Sequence, residues 1–126
     1  MKTKISLSII GAYNTFVSIV MMFFAGDLVG TIVNSDSLEV IRMCEIMHYG
    51  LSPAILIIGL MLILARNSSI ETAKNLLLAY IIGTIVLMYV FFVIMANEPL
   101  MNFSISSLIP DITMLILAVF GYLKAK

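Results

Sequence analysis

Four long runs of apolar residues, separated by short polar breaks, dominate the chain. Each run has about 20 residues or more, enough to cross a hydrocarbon core ~30 Å thick as an α-helix rising 1.5 Å per residue. Backbone groups in lipid must satisfy their own hydrogen bonds, so each run predicts a helix. The predicted spans cover residues 5–25, 40–65, 73–96 and 105–123.

The polar breaks contain residues that start and stop helices. Asp36 and Ser68 each precede a glutamate by three residues, the spacing of a capping box at a helix N-terminus. Gly26-Asp27 is predicted to end the first run, and Asn97-Glu98-Pro99 to end the third. A short interfacial helix is predicted after the first run, from apolar residues at helical spacing: Leu28, Val29, Ile32 and Val33.

Composition agrees with this pattern and excludes a soluble globule. Of the 126 residues, 62% are hydrophobic and 11% charged, and the mean hydropathy is +1.15, whereas soluble domains are about half apolar and a quarter charged. Four spans take roughly 80 residues and leave only termini and turns. The sequence therefore predicts one all-α domain over residues 1–126, an integral membrane four-helix bundle.

The basic residues predict the orientation of this bundle. Six of the seven fall on one side of the predicted spans: Lys2, Lys4, Arg66, Lys74, Lys124 and Lys126. Arg42 alone falls on the other side, among Asp27, Asp36, Glu39 and Glu98. Because Lys and Arg accumulate in short cytoplasmic loops, we expect both termini in the cytoplasm (N-in, C-in). The first run exceeds a signal-peptide core of about 7–15 residues, so we interpret it as a retained span of a multi-pass protein of the plasma (inner) membrane.

Several function classes are excluded by what the chain lacks. Seven Lys/Arg balance seven Asp/Glu without a basic cluster, so we expect no nucleic-acid partner. One cysteine, Cys44, and one histidine, His48, cannot form an internal disulfide, an ordinary zinc site or a bis-histidine haem site. We identify no catalytic residue set and no metal site.

Ionisable groups at bilayer depth are costly and are therefore candidates for function. Arg42, Glu45 and His48 recur every three residues and share one face of the second helix. Tyr89 and Asp111 are predicted at a similar depth on the third and fourth spans. We hypothesise that Glu45, His48, Tyr89 and Asp111 line a polar pocket open to the extracytoplasmic side.

Structural roles compete with this pocket. Arg42 and Glu45 could form an ion pair at the membrane interface, and His48 could hydrogen-bond to a neighbouring helix. Asp111 follows Pro110 and could simply occupy the first turn of its helix; a helix starting at Ser104 would instead be kinked there. Uncharged polar residues are predicted to hold helices together: Asn14, Thr15, Ser18, Tyr80 and Thr84.

Three segments carry a resemblance to a known family. They are Phe23-Phe24-Ala25-Gly26-Asp27-Leu28, then Arg42-Met43-Cys44-Glu45 leading to His48-Tyr49-Gly50, and Ala65-Arg66. With them the chain resembles the small DoxX-like four-helix membrane proteins. The resemblance implies a four-helix bundle and, from the member that names the group, a subunit of a quinone-linked oxidoreductase. It transfers no catalytic residue.

Two functions remain open. The first is an accessory or structural subunit of a larger membrane complex, such as an oxidoreductase or monooxygenase, with the lipid bilayer and other membrane subunits as partners. The alternative is a binding protein or transporter for a lipid, quinone or other lipophile, which would use the pocket around Glu45 and Asp111. An enzyme acting alone is the third hypothesis, but the chain contains no nucleophile with a base to support it.

Overall fold

The computed structural model describes residues 2–125, and this part of the chain folds into helices joined by short turns, without a named strand. The α-helices are α1 (Lys2–Phe23), α2 (Ala25–Ile32), α3 (Leu38–Leu64), α4 (Ile70–Tyr89) and α5 (Ile109–Leu123). A 3₁₀ turn extends α3 (Ala65–Asn67), a π-helical turn (Val90–Ile94) and a 3₁₀ turn (Met95–Asn97) extend α4, and a 3₁₀ turn (Ile105–Leu108) leads into α5. Lys126, one of the basic residues used to predict orientation, lies outside the described residues.

Four of these helical segments are long and apolar enough to cross a membrane: Lys2–Phe23, Leu38–Asn67, Ile70–Asn97 and Ile105–Leu123. The prediction of an all-helical chain with four membrane-length helices is therefore confirmed. The predicted short helix after the first run is confirmed as α2, and its place at a membrane interface stays a prediction.

The polar breaks end helices nearly where predicted, with three corrections. α1 ends at Phe23, before Gly26-Asp27, which lie in the first turn of α2. The N-cap of α3 is Ser37 rather than Asp36, and its side chain makes no capping bond. The N-cap of α4 is Ser69 rather than Ser68, because the hydroxyl of Ser69 accepts a 3.2 Å hydrogen bond from the otherwise unpaired amide of Thr72.

α1 is the central element, since α3, α4 and α5 all pack against it. Its closest neighbour is α3, which runs antiparallel to it: Gly11 faces Gly59, and the Ser18 hydroxyl donates a 2.7 Å hydrogen bond to the Ser52 carbonyl. α5 is also antiparallel to α1, because the Thr3 hydroxyl donates to the Gly121 carbonyl at 3.1 Å. The helices thus form a bundle organised around the first span.

The two ends of the bundle differ in packing. We call the end that holds the start of α1, the Ala65–Asn67 turn, the start of α4 and the end of α5 the basic end. The hydrophobic core lies towards it and comprises Leu7, Ile10, Leu62, Ala73, Leu77 and Ala118. At the opposite, acidic end, the loops pair through a single bridge between Val33 and Met101, and the Asn34 amide donates to the Leu100 carbonyl at 2.8 Å. This pairing ties α2 to the connection before α5.

Pro53 lies inside α3 and removes the amide that would bond to the carbonyl of Tyr49 one turn earlier. The Ser52 hydroxyl donates to that carbonyl at 3.4 Å. Ser52 is fully buried against α1, where its own carbonyl accepts the bond from Ser18. The Ser52 hydroxyl therefore satisfies the carbonyl that the proline leaves free, which is one way in which proline is tolerated in membrane-length helices.

Candidate polar site

Arg42 and Glu45 form an ion pair near the start of α3. Arg42 Nη1 lies 2.6 Å from Glu45 Oε2, and the two side chains are 66% and 22% exposed. The other oxygen of Glu45 faces Gly26, where an added Cβ would lie 2.9 Å from it. The pair therefore joins the start of α3 to the first turn of α2, whose dipole favours a nearby carboxylate. This geometry matches the alternative of an ion pair at a helix end.

His48 and Tyr89 make no hydrogen bond to another span among residues 2–125. His48 Nδ1 lies 2.9 Å from the carbonyl of Cys44 on its own helix. Since a carbonyl only accepts, Nδ1 is the donor in this contact. The bond differs from the predicted contact with a neighbouring helix. Tyr89 ends α4 and is 61% exposed.

Asp111 has a partner on a different helix. It lies in the first turn of α5, directly after Pro110, and its Oδ1 accepts a 2.9 Å hydrogen bond from the Tyr13 hydroxyl of α1. Asp111 thus occupies a helix start and an interhelical polar site at once. Tyr13 lies at the middle of α1, so the carboxylate is level with the centre of the first span.

Two further residues complete what we call the central polar cluster: Tyr13, Asn14, Tyr80 and Asp111. Asn14 Nδ2 donates to the Ile10 carbonyl at 2.8 Å and lies 3.5 Å from the Tyr80 hydroxyl of α4. The cluster therefore joins α1, α4 and α5 at the middle of the bundle, as expected for polar groups that bond across helices.

The hypothesised pocket residues lie at two levels along the bundle. Ser18 of α1 is level with Ser52 of α3, because the two are hydrogen-bonded. His48 lies four residues from Ser52 towards the acidic end, and Tyr13 lies five residues from Ser18 towards the basic end. His48 is therefore about 13 Å further along the axis than Tyr13. Tyr89 lies nine residues beyond Tyr80 in the same direction, again about 13 Å. The structure brings Arg42 together with Glu45, and Asp111 together with Tyr13, but it does not join Asp111 to Glu45, His48 or Tyr89.

Tyr13 is the site residue that sequence analysis missed. The sequence analysis does not single out its hydroxyl, and nothing in the spacing along α1 distinguishes it. A usable signal exists nonetheless, because Asp111 needs a donor at bilayer depth. A donor search along the middle of the other spans finds Tyr13 beside Asn14.

The arrangement can hold and orient polar groups, but it contains no complete catalytic constellation among residues 2–125. In that part of the chain, no three His, Cys, Asp or Glu side chains are grouped so that they could hold a metal ion. Asp111 can accept further hydrogen bonds, since Tyr13 engages one of its two oxygens. Comparison of the chain with protein-family models, with curated proteins and with solved structures finds no match.

Proposed function

We propose that this chain is an accessory subunit of a larger membrane complex, for which an oxidoreductase or monooxygenase is the expected class. The observation that carries the proposal is a pair of exposed small-residue sites on the outside of the bundle. Gly50 on α3 and Gly83 on α4 both lie inside helices, and a Cβ added at either would meet nothing within 4 Å. Their own fold therefore does not require glycine there, although glycine weakens a helix by about 1 kcal/mol relative to alanine.

Each of these glycines has a second small, exposed residue one turn away, Ala54 on α3 and Ala79 on α4. Small residues spaced by four let two helices approach closely in a membrane. Gly50 lies nine residues from Gly59, so it projects from the side of α3 opposite to α1. The small residues on these two helix faces therefore allow helices of another subunit to approach closely.

The experiment is a comparison of assemblies after gentle detergent extraction of the tagged full chain. We expect the wild type to run in a large assembly with partners in fixed stoichiometry. Gly50→Leu and Gly83→Leu should release those partners, because the larger side chains keep a neighbouring helix away. The matched control is Gly30→Leu on α2, another exposed glycine without a neighbour within 4 Å. Isolation of the wild type without a protein partner, or equal loss in all three variants, contradicts the proposal.

We further propose that the helices cross the plasma (inner) membrane with both termini in the cytoplasm. Support comes from the charge at the two ends of the bundle. The basic end carries Lys2, Lys4, Arg66, Lys74 and Lys124 with Glu71 as its acid. The acidic end carries Asp27, Asp36, Glu39, Glu45 and Glu98 with Arg42 as its base. The basic side of a membrane protein faces the cytoplasm.

The second candidate function, a binding protein or transporter for a quinone or other lipophile, is favoured by the free acceptor capacity of Asp111 in the central polar cluster. Titration with decylubiquinone tests it. Asp111→Ala should abolish binding, while Glu45→Ala, at the other level, should preserve it. Unchanged affinity in Asp111→Ala contradicts this function and leaves the accessory role in place.

A further inference from the structure

An open groove lies at the basic end of the bundle, between the first turns of α4 and the last turn of α5. Its volume is about 450 Å³, and its lining residues are Ile70, Glu71, Lys74, Asn75 and Tyr122. Lys74 Nζ lies 5.0 Å from the centre of the Tyr122 ring. This cation–π contact holds the ammonium group in the groove wall. The groove thus presents a positioned cation at the level where α4 begins.

The surroundings of the groove are positive. Glu71 is the acid at an end that carries five basic residues within the described part of the chain. One of them, Lys2, lies 5.7 Å above the Phe120 ring, on the same side of the bundle as the end of α5. The groove also adjoins the N-terminus of α4, whose dipole is positive there. Within the lining Glu71 balances the charge of Lys74, so the complementary ligand is an anion that also carries a hydrogen-bond donor for Glu71.

The apolar surface next to Lys74 indicates what this anion is attached to. Leu78 and Ile82 follow Lys74 at intervals of four residues, so they continue the same face of α4 towards the middle of the span. They are 39% and 56% exposed. A charged group that begins an exposed apolar stripe matches an amphiphile with an anionic head and hydrocarbon chains, whereas a free phosphate would leave the stripe unused.

We propose that this groove, the Lys74 groove, binds the headgroup of an anionic phospholipid. The Lys74 ammonium contacts the phosphodiester, the Asn75 amide and the Tyr122 hydroxyl donate hydrogen bonds, and an acyl chain lies along Leu78 and Ile82. Glu71 only accepts hydrogen bonds when ionised, so it suits a headgroup that carries hydroxyls, such as glycerol. The site does not depend on which protein partner the chain has; it requires only the membrane-spanning arrangement.

The test is native mass spectrometry of the purified full chain, titrated with dioleoyl phosphatidylglycerol and, separately, with dioleoyl phosphatidylcholine. We expect tighter binding of the anionic lipid. Lys74→Gln should lower that affinity about fivefold, the effect of one lysine near an anionic surface, and leave phosphatidylcholine binding unchanged. Lys74→Arg keeps the charge and should keep most of the preference.

Arg66→Gln is the matched control, because it removes a charge from the same end of the bundle but outside the groove. We expect it to change the affinity for phosphatidylglycerol far less than Lys74→Gln does. Equal binding of the two lipids by the wild type overturns the proposal, as does equal loss in Lys74→Gln and Arg66→Gln. Displacement of the lipid by millimolar inorganic phosphate assigns the groove to a free anion and also overturns it.

Discussion

Gly11 of α1 and Gly59 of α3 meet backbone against backbone. A Cβ added to Gly59 would lie 2.6 Å from the Thr15 amide nitrogen and 2.9 Å from the Gly11 carbonyl oxygen. A Cβ added to Gly11 would lie 2.8 Å from the Gly59 carbonyl oxygen. No flexible side chain can move aside to relieve such contacts. The spacing of Gly11 and Thr15, one turn apart on α1, therefore gives α3 a surface on which two backbones can touch.

Gly59→Ala should destabilise the bundle, because its Cβ must push α3 away from backbone atoms of α1. Overpacking of this kind costs about 1–3 kcal/mol. Thermal or chemical unfolding in detergent measures the effect. Gly50→Ala on the same helix is the matched control, since its Cβ meets nothing within 4 Å; it should leave stability unchanged or raise it through helix propensity. Equal stability of the two variants would show that α1 and α3 are not in close contact.

The hydrogen bond between Tyr13 and Asp111 should appear as an interaction energy between the two positions. Tyr13→Phe and Asp111→Ala should each destabilise the bundle, and the double variant should lose less than the two single losses added together. Interhelical hydrogen bonds in membranes give about 0.6–2 kcal/mol. A double-mutant cycle on unfolding free energies in bicelles measures this quantity.

Tyr89→Phe combined with Asp111→Ala provides the comparison cycle. Tyr89 is exposed and lies about 13 Å from the level of Tyr13, so its substitution should add independently to that of Asp111. A coupling as large for Tyr89 as for Tyr13 would place Asp111 at the wrong level in the structure.

Removing either of two hydroxyls of α1 should change the stability of the bundle in different ways. Ser18 donates to the Ser52 carbonyl in a fully buried contact, so Ser18→Ala should cost about 1 kcal/mol. Thr15 Oγ1 is buried without a hydrogen-bond partner among residues 2–125. Thr15→Val keeps the shape and removes the unsatisfied oxygen, so it should be neutral or stabilising. The midpoints of thermal unfolding for the two variants test this, and a larger loss for Thr15→Val contradicts it.

The proposed orientation predicts which loops a membrane-impermeant maleimide can reach in intact cells. In a Cys44→Ser background, a cysteine replacing Asn102 should be labelled directly, because residue 102 lies at the acidic end. A cysteine replacing Asn67, at the basic end, should be labelled only after the membrane is permeabilised. Both positions are exposed in the fold. The reverse labelling pattern would place both termini outside the cytoplasm.

Features that depend on composition over a long stretch were predictable. The four membrane-length helices follow from runs of apolar residues, and the short helix α2 follows from the spacing of Leu28, Val29, Ile32 and Val33. Helix starts were harder, because Asp36 and Ser37, or Ser68 and Ser69, are all good N-cap residues. Which of two adjacent residues becomes the N-cap depends on the backbone direction of the preceding turn. A local sequence pattern does not contain this information.

The candidate site was predictable only in part. The ion pair between Arg42 and Glu45 was predictable, because the two residues are three positions apart on one helix and therefore share a face. Asp111 bonds to Tyr13, which is 98 positions away in the sequence. This contact depends on the axial position of α5 relative to α1. A depth estimate counted from the start of each span placed Asp111 level with His48. The contacts of α1 with α3 and α5 place it about 13 Å deeper.

The sequence by itself determined that the chain is helical, how many helices are long and apolar enough to cross a membrane, and how basic and acidic residues separate between their ends. Those properties follow from the cost of exposing backbone and charge to hydrocarbon, which is summed along each segment. Only the tertiary structure decided that α1 is central, that Gly11 touches Gly59 and that Asp111 pairs with Tyr13. The rotation and axial position of each helix are set by side-chain fit against its neighbours, and a hydropathy pattern is almost the same for every rotation of an apolar helix.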